Sequence, residues 1–193
     1  MPKIIDVFEK NKYNIAETAK QSKTWFDREV VELKKDIRNP KSVFDGGLKT
    51  MRPRPDNLYM FFYDAKHKAT LPYWDMFPLI FPYADQKGGF MGLNLHYIPY
   101  RFRIYVMDEL LKIAKTTMSD RIKMDLSWGL IQKASKLRYL QPCVKRYLLP
   151  HVMSPFKLIK REDWGTAALL PLSQFQGASE KQIWKISREQ GKF

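Results

Sequence analysis

Residues 58–100 read LYMFFYDAKHKATLPYWDMFPLIFPYADQKGGFMGLNLHYIPY. Aromatic side chains recur here at the density of a compact β core, and turn residues interrupt them at short intervals, the pattern of a meander of short strands. Tyr59, Phe61 and Tyr63 alternate with Met60, Phe62 and Asp64, so both faces of the first strand are largely apolar and both are expected to be covered. Residues 64–70 read as a polar hairpin loop. Pro72, Pro78 and Pro82 lack the N–H that a central ladder position donates, which confines them to strand starts, edges or bulges of a strongly bent sheet. Gly88-Gly89 supplies the next turn, and residues 90–98 the strand after it. The expected class is α+β: a small SH3-like β-barrel core flanked by N-terminal and C-terminal helices.

Upstream, Ile4, Ile5, Val7 and Phe8 make a short apolar start. Phe26, Val30, Leu33 and Ile37 then fall at helical spacing over 24–37, with Thr24 as N-cap, Asp27 at N3 of a capping box, and Asn39-Pro40 as the stop. Residues 45–56 combine Gly46-Gly47 with Arg52-Pro53-Arg54-Pro55, a composition that favours extended backbone. Residues 1–57 are therefore expected to form a helical arm and linker with few contacts to the rest. Residues 58–193 form the globular domain, with the barrel core at 58–100 and a basic helical part at 101–193.

In that basic part, Phe102, Val106, Leu110 and Ala114 share one stripe of a helix over 100–115. Ser119 caps a second helix reaching about 137, whose buried stripe is Ile122, Leu126, Leu130, Ala134 and Leu137, with Lys133 and Lys136 on the wet side. Pro142 suits the first turn of a short helix that Pro150 ends, which puts Lys145 and Arg146 on one exposed turn near Tyr139 and Tyr147. Residues 156–161 read as an edge strand or helical turn presenting Lys157, Lys160 and Arg161. Residues 167–172 form a short apolar, buried segment, and a last helix over 179–190 docks Ile183, Trp184 and Ile186.

A chain of 193 residues that is 45% hydrophobic and 14% aromatic has enough apolar surface for a real core, which excludes a fully disordered chain. Its 34 Lys and Arg against 20 Asp and Glu give a formal charge of +14, and such an excess points to a polyanionic partner, nucleic acid first. The excess is uneven: between residues 126 and 161 there are eight Lys/Arg and no carboxylate. Solvated faces ordinarily mix signs. This one-sided run is expected to form a phosphate-binding face from Lys133, Lys136, Arg138, Lys145, Arg146, Lys157, Lys160 and Arg161. Tyr139 beside it is a candidate for stacking on bases or sugars, a role to set against the commoner half-buried packing of such tyrosines.

Motifs with a catalytic mechanism are missing. His67, His96 and His151 are isolated in sequence, and the GGFMG run at 88–92 suits a turn and bulge better than a phosphate cradle. Asp64, Asp75 and Asp85 stand in turn-like contexts rather than as paired metal ligands. No enzymatic function, metal or cofactor is expected. The single Cys143 excludes an internal disulfide, and without a signal-type or membrane-spanning apolar run the chain is expected to be soluble, made in a reducing cytoplasm and not membrane-bound.

The segment YMFFYDAKHKATLPYWDMFPLIFPY, followed by GGFMGLNLHYIP, an Arg-bearing helix and LQPCVKRYLLPH, resembles a family of T4-like tailed-bacteriophage virion proteins, the DNA end protectors. The resemblance runs roughly from residue 25 to 164. It implies a phage virion protein, made in the host cytoplasm, similar to proteins of the head that shield the ends of the packaged genome; the resemblance does not decide between contact with double-stranded DNA and contact with structural subunits alone. It carries no residue roles with it. The competing expectation is a neck, tail or baseplate component that binds other phage structural proteins, with oligomerisation inside the virion; a third is a metal-dependent nuclease.

Overall fold

The tightest local signal in the chain is the turn at Lys87-Gly88, where Gly88 takes φ +74, a conformation with little cost for a residue lacking Cβ. It joins β4 (Leu79–Gln86) to β5 (Gly89–Asn94) in an antiparallel hairpin. The register slips between Pro82 and Ala84, so the proline sits at a bulge, where its missing N–H breaks no ladder bond. The computed structural model describes residues 15–38, 49–50, 53–54, 57–114, 116–168 and 175–191.

Around this hairpin the chain builds a six-stranded antiparallel sheet with β1 (Lys49–Thr50), β2 (Leu58–Met60), β6 (Val144–Leu148) and β7 (Phe156–Ile159), in the order β1-β7-β2-β4-β5-β6. A separate two-stranded pair joins β3 (Trp74–Asp75) to β8 (Phe175–Gln176). Beyond β2 the strand direction continues: Met153 N–H donates to Phe62 O at 2.9 Å, Tyr63 bridges Val152, and Asp64 N–H donates to His151 O at 3.0 Å. Leu148 N–H at the end of β6 reaches the Tyr63 hydroxyl at 3.3 Å. The sheet thus curls until the ends of β6 and β2 approach each other. Among the described residues no pairing joins β1 to β6, so the mixed class is as expected but the barrel is not closed.

The curl has an aromatic centre. Phe61 lies 4.8 Å from Phe156, 5.3 Å from Tyr147, 6.1 Å from Tyr63 and 6.2 Å from Phe90 between ring centroids, the edge-to-face range in which ring quadrupoles attract. The opposite face of the sheet, with Leu58, Met60, Leu79, Phe81 and Leu93, packs under helices. Both faces of the first strand are covered, as its alternation predicts. Among the described residues the α-helices are α1 (Ile15–Arg38), α2 (Tyr100–Ala114), α3 (Asp120–Lys136), α4 (Trp164–Ala168) and α5 (Glu180–Gly191). In α5 the Ser179 hydroxyl and Gln182 side chain bond each other's backbone N–H, at 3.4 and 2.8 Å, the reciprocal capping that starts a helix.

Several expectations need correction. The N-terminal segment is not a loosely attached arm: Trp25, Phe26, Val30 and Leu33 of α1 are buried in the main core, and Lys157 on β7 forms an ion pair with Glu29. Thr24 is inside α1 rather than capping it, its hydroxyl donating to Lys20 O at 3.1 Å. The segment read as a short helix after Pro142 is a 3-10 turn, Arg138–Cys143, followed by the strand β6; pairing with β5 supplies the hydrogen bonds that a helix would have made. The sheet therefore extends beyond 58–100, and β7 is an interior strand between β1 and β2. In α3 the predicted Ala134 is buried and Leu130 packs partly buried against the core, but Ser127 and Ile131 make up the rest of the buried face, leaving Ile122, Leu126 and Leu137 exposed. The readings for Ile4, Ile5, Val7 and Phe8, for Asn39-Pro40, for Gly46-Gly47, for Arg52 with Pro55, and for 169–172 fall outside the described residues.

Candidate nucleic-acid interface

Lys133 and Lys136 lie exposed in the last turn of α3, where positive side chains complement the partial negative charge of a helix C-terminus. The chain passes directly into the 3-10 turn that carries exposed Arg138, then into β6. On β6, Lys145 pairs with Gly92 and Arg146 with Met91. Neighbouring strand residues point to opposite faces, so these two cations diverge instead of sharing one turn. Arg146 is exposed and its guanidinium donates to Lys87 O at 3.0 Å, which fixes it beside the β4–β5 turn and exposed Lys87. Lys145 turns inward, its amine 3.8 Å from the Tyr97 ring centroid, and burial lowers its pKa.

The other predicted positions go elsewhere. Lys157 is spent on Glu29, with the two side chains only 16% and 10% exposed. Lys160 is exposed and 3.6 Å from Glu162, and Arg161 opens the turn that also holds Glu162 and Asp163, so acids accompany the cations there. In strand order β2, β4 and β5 separate β7 from β6. Tyr139 is half-buried, its ring 5.7 Å from Phe102, a packing position. Lys133, Lys136, Arg138 and Arg146 thus lie exposed on three consecutive elements, and among the described residues none of the four has a carboxylate partner.

Next to Arg146 opens a cavity of about 470 Å³, lined by the segment 65–75, Tyr97 and β6. Its acid is Asp75, which lies only 19 residues before Asn94 in sequence but meets it in space. Asp75 Oδ1 accepts from Phe77 N–H at 3.0 Å; Oδ2 accepts from Asn94 Nδ2 at 2.8 Å and lies 2.7 Å from His96 Nδ1. Asn94 Nδ2 also donates to the Tyr147 hydroxyl at 3.0 Å. His96 is therefore not isolated in the fold. With the Asp75 and His96 side chains each 2% exposed, the pair braces the cavity wall from within the core. Burial, reinforced by the Asp75 charge, holds the Tyr97 and Tyr147 hydroxyls well above the usual phenol range, and burial pushes the Cys143 thiol up to about 12. Sequence reading missed Trp74, Asp75, Asn94, His96 and Tyr97 as neighbours because they come from β3, the end of β5 and the 3-10 turn Leu95–Tyr97. The signal was the WD pair held between Pro72 and Pro78.

Among the described residues no group of three His, Cys, Asp or Glu could hold a metal ion, and no helix is long and apolar enough to cross a membrane. No curated protein and no solved structure matches the chain. The family model described as phage T4 terminal DNA protecting protein matches residues 5–187, extending at both ends the resemblance seen over roughly 25–164. With nearly every described element inside that span, the chain belongs to the phage T4 terminal DNA protecting protein family.

Proposed function

We propose that this chain is a non-enzymatic virion protein that shields the ends of packaged double-stranded phage DNA by holding duplex phosphates on Lys133, Lys136, Arg138 and Arg146. The observation that carries the reading is the collection of these four exposed cations, unpaired with any described carboxylate, on consecutive elements of a chain whose family is named for terminal DNA protection. Phosphate contacts position a protein without reading bases, so binding is independent of sequence. Lys160 and Arg161 form a secondary patch, and Lys157 serves the fold. The test is exonuclease digestion of linear duplex DNA. Saturating protein protects the ends, and the triple variant K133Q/K136Q/R138Q protects them at least tenfold less well. Unimpeded digestion by the exonuclease at saturating folded protein overturns the reading, and cleavage by the protein with added divalent metal would favour a nuclease.

A second reading has its own observation. Ile122 and Leu126, one turn apart on the same side of α3, are 49% and 45% exposed, an apolar pair of the kind that fastens protein subunits. It supports contact with other phage structural proteins or a second copy, at the neck, tail or baseplate. In that case the cations meet acidic protein surfaces, and the triple variant loses assembly with no change in DNA affinity.

A further inference from the structure

The 470 Å³ cavity falls in the range of small-molecule sites, about 300–1,000 Å³, and is built unlike a packing void. Empty voids in cores are lined by aliphatic groups and stay dry. This one opens to solvent between the aromatic rings of Tyr73, Trp74 and Tyr97 and the cations Lys66 and Lys145. Its one carboxylate, Asp75, already has three donors within 3.0 Å. Lys145 has no carboxylate partner among the described residues; its amine rests 3.8 Å over the Tyr97 ring while burial lowers its pKa. An anionic oxygen entering the cavity would supply the counter-charge that the amine lacks. The walls are held in place: Trp74 and Asp75 pair with Gln176 and Phe175 across β3 and β8, and Gly177, at φ +86, lets that strand approach so closely that a Cβ would lie 2.5 Å from Pro72 O.

Flat rings beside a cation are what a nucleotide needs: a π-surface for the base and a charge for the phosphate. The cavity is too narrow for a stacked duplex, yet it shares Arg146 and β6 with the exposed cations. We infer that it receives the last nucleotide of a DNA end, frayed from its pair, with the base against the half-buried rings of Tyr73 and Trp74 and the phosphate on Lys145. Unpairing costs least where a base is already loose, so such a cavity distinguishes a terminus from the interior of the same duplex. The inference rests on the DNA-binding reading and adds to it the reason an end, in particular, is held.

The test compares one duplex in two forms, with open ends and with both ends closed by hairpin loops. Stacking of one base predicts about tenfold tighter binding of the open form. A 2-aminopurine at the terminal position changes fluorescence on binding, and the same probe at the centre does not. Lys145→Met brings open-end affinity down to that of the closed form and leaves the closed form unaffected, with melting temperature checking the fold; the fluorescence arm needs no variant. Equal affinity for the two forms, or an unchanged terminal probe, overturns the inference while leaving phosphate binding intact. No affinity for either form overturns both.

Discussion

Lys157 tests whether the curled sheet and α1 form one unit and whether that lysine serves the fold rather than DNA. Its amine meets Glu29 across the interface between β7 and α1, with side chains 16% and 10% exposed. Removing one partner of a buried pair ordinarily costs about 3–5 kcal/mol, because the other charge is left without compensation. Here Arg28 remains 3.4 Å from Glu29 Oε1 on the wet side and offsets part of that loss, so Lys157→Met is expected to cost about 2–3 kcal/mol. Methionine keeps the apolar cover of the lysine stem, which confines the loss to the charge. For a chain of this length that is a fall in Tm of roughly 5–10 °C. Adding Glu29→Gln should recover more than half of it, a coupling of about 1 kcal/mol or more in a double-mutant cycle. Thermal and urea unfolding of the four proteins measure this, and the salt dependence of DNA binding should be the same in all of them. A Tm change below about 2 °C, or strict additivity, would refute the energetic argument; a weakened DNA complex in a folded Lys157→Met protein would return this lysine to the interface.

Other substitutions read the remaining parts. Phe61→Ala, at the centre of four neighbouring rings, should cost about 3–5 kcal/mol in unfolding free energy, because neighbours on β5, β6 and β7 cannot all collapse into the space. Gly89→Ala should destabilise far more than Gly88→Ala, although only Gly88 has positive φ: a Cβ at 89 would lie 1.9 Å from Tyr147 O, whereas at 88 it meets open space and costs about 1–2 kcal/mol of left-handed strain; equal melting temperatures would contradict the β5–β6 pairing. Cys143 should resist thiol reagents at pH 8.5 until the protein unfolds, since its folded pKa is about 12 against an ordinary 9.0. The sign for stability follows: above pH 9 the unfolded chain binds fewer protons than the folded one, so the contribution of this thiol falls by about 1.4 kcal/mol per unit. Fast labelling of folded protein would show the site to be open.

Periodicity made much of this fold legible, and it failed where two periods fit the same residues. The alternation at 58–63 and the Gly88-Gly89 turn gave β2 and the hairpin directly, and Phe26, Val30 and Leu33 gave the buried face of α1. Residues 144–148 could satisfy either structure: Pro142 suits the start of a helix, but VKRYL also places Lys145 and Tyr147 on one strand face, and only the partner strand β5 decides between them. The α3 stripe went wrong because Ser127, a polar residue, occupies a buried position while Ile122 and Leu126 do not; composition cannot tell which apolar face a neighbouring element leaves uncovered. Charge patterning singled out Lys133, Lys136 and Arg138, which the fold leaves exposed, but could not foresee that Glu29, far away in sequence, would claim Lys157. The aromatic cavity was invisible for the same reason, being assembled from the turn at 66–70, β3, the 3-10 turn Leu95–Tyr97 and β6, which meet only when the sheet curls.

The most direct test of phosphate binding by the exposed cations is the affinity for duplex DNA measured across a range of salt concentrations. Four contacts from Lys133, Lys136, Arg138 and Arg146 predict a slope of log K against log salt of about −3.6, since each neutralised phosphate releases condensed counterions. Lys133→Gln with Arg146→Gln should flatten it by about 1.8 with little change in Tm, because exposed charges contribute little to stability. A folded protein that fails to bind duplex DNA at low salt, or a double variant whose slope is unchanged, would contradict the account.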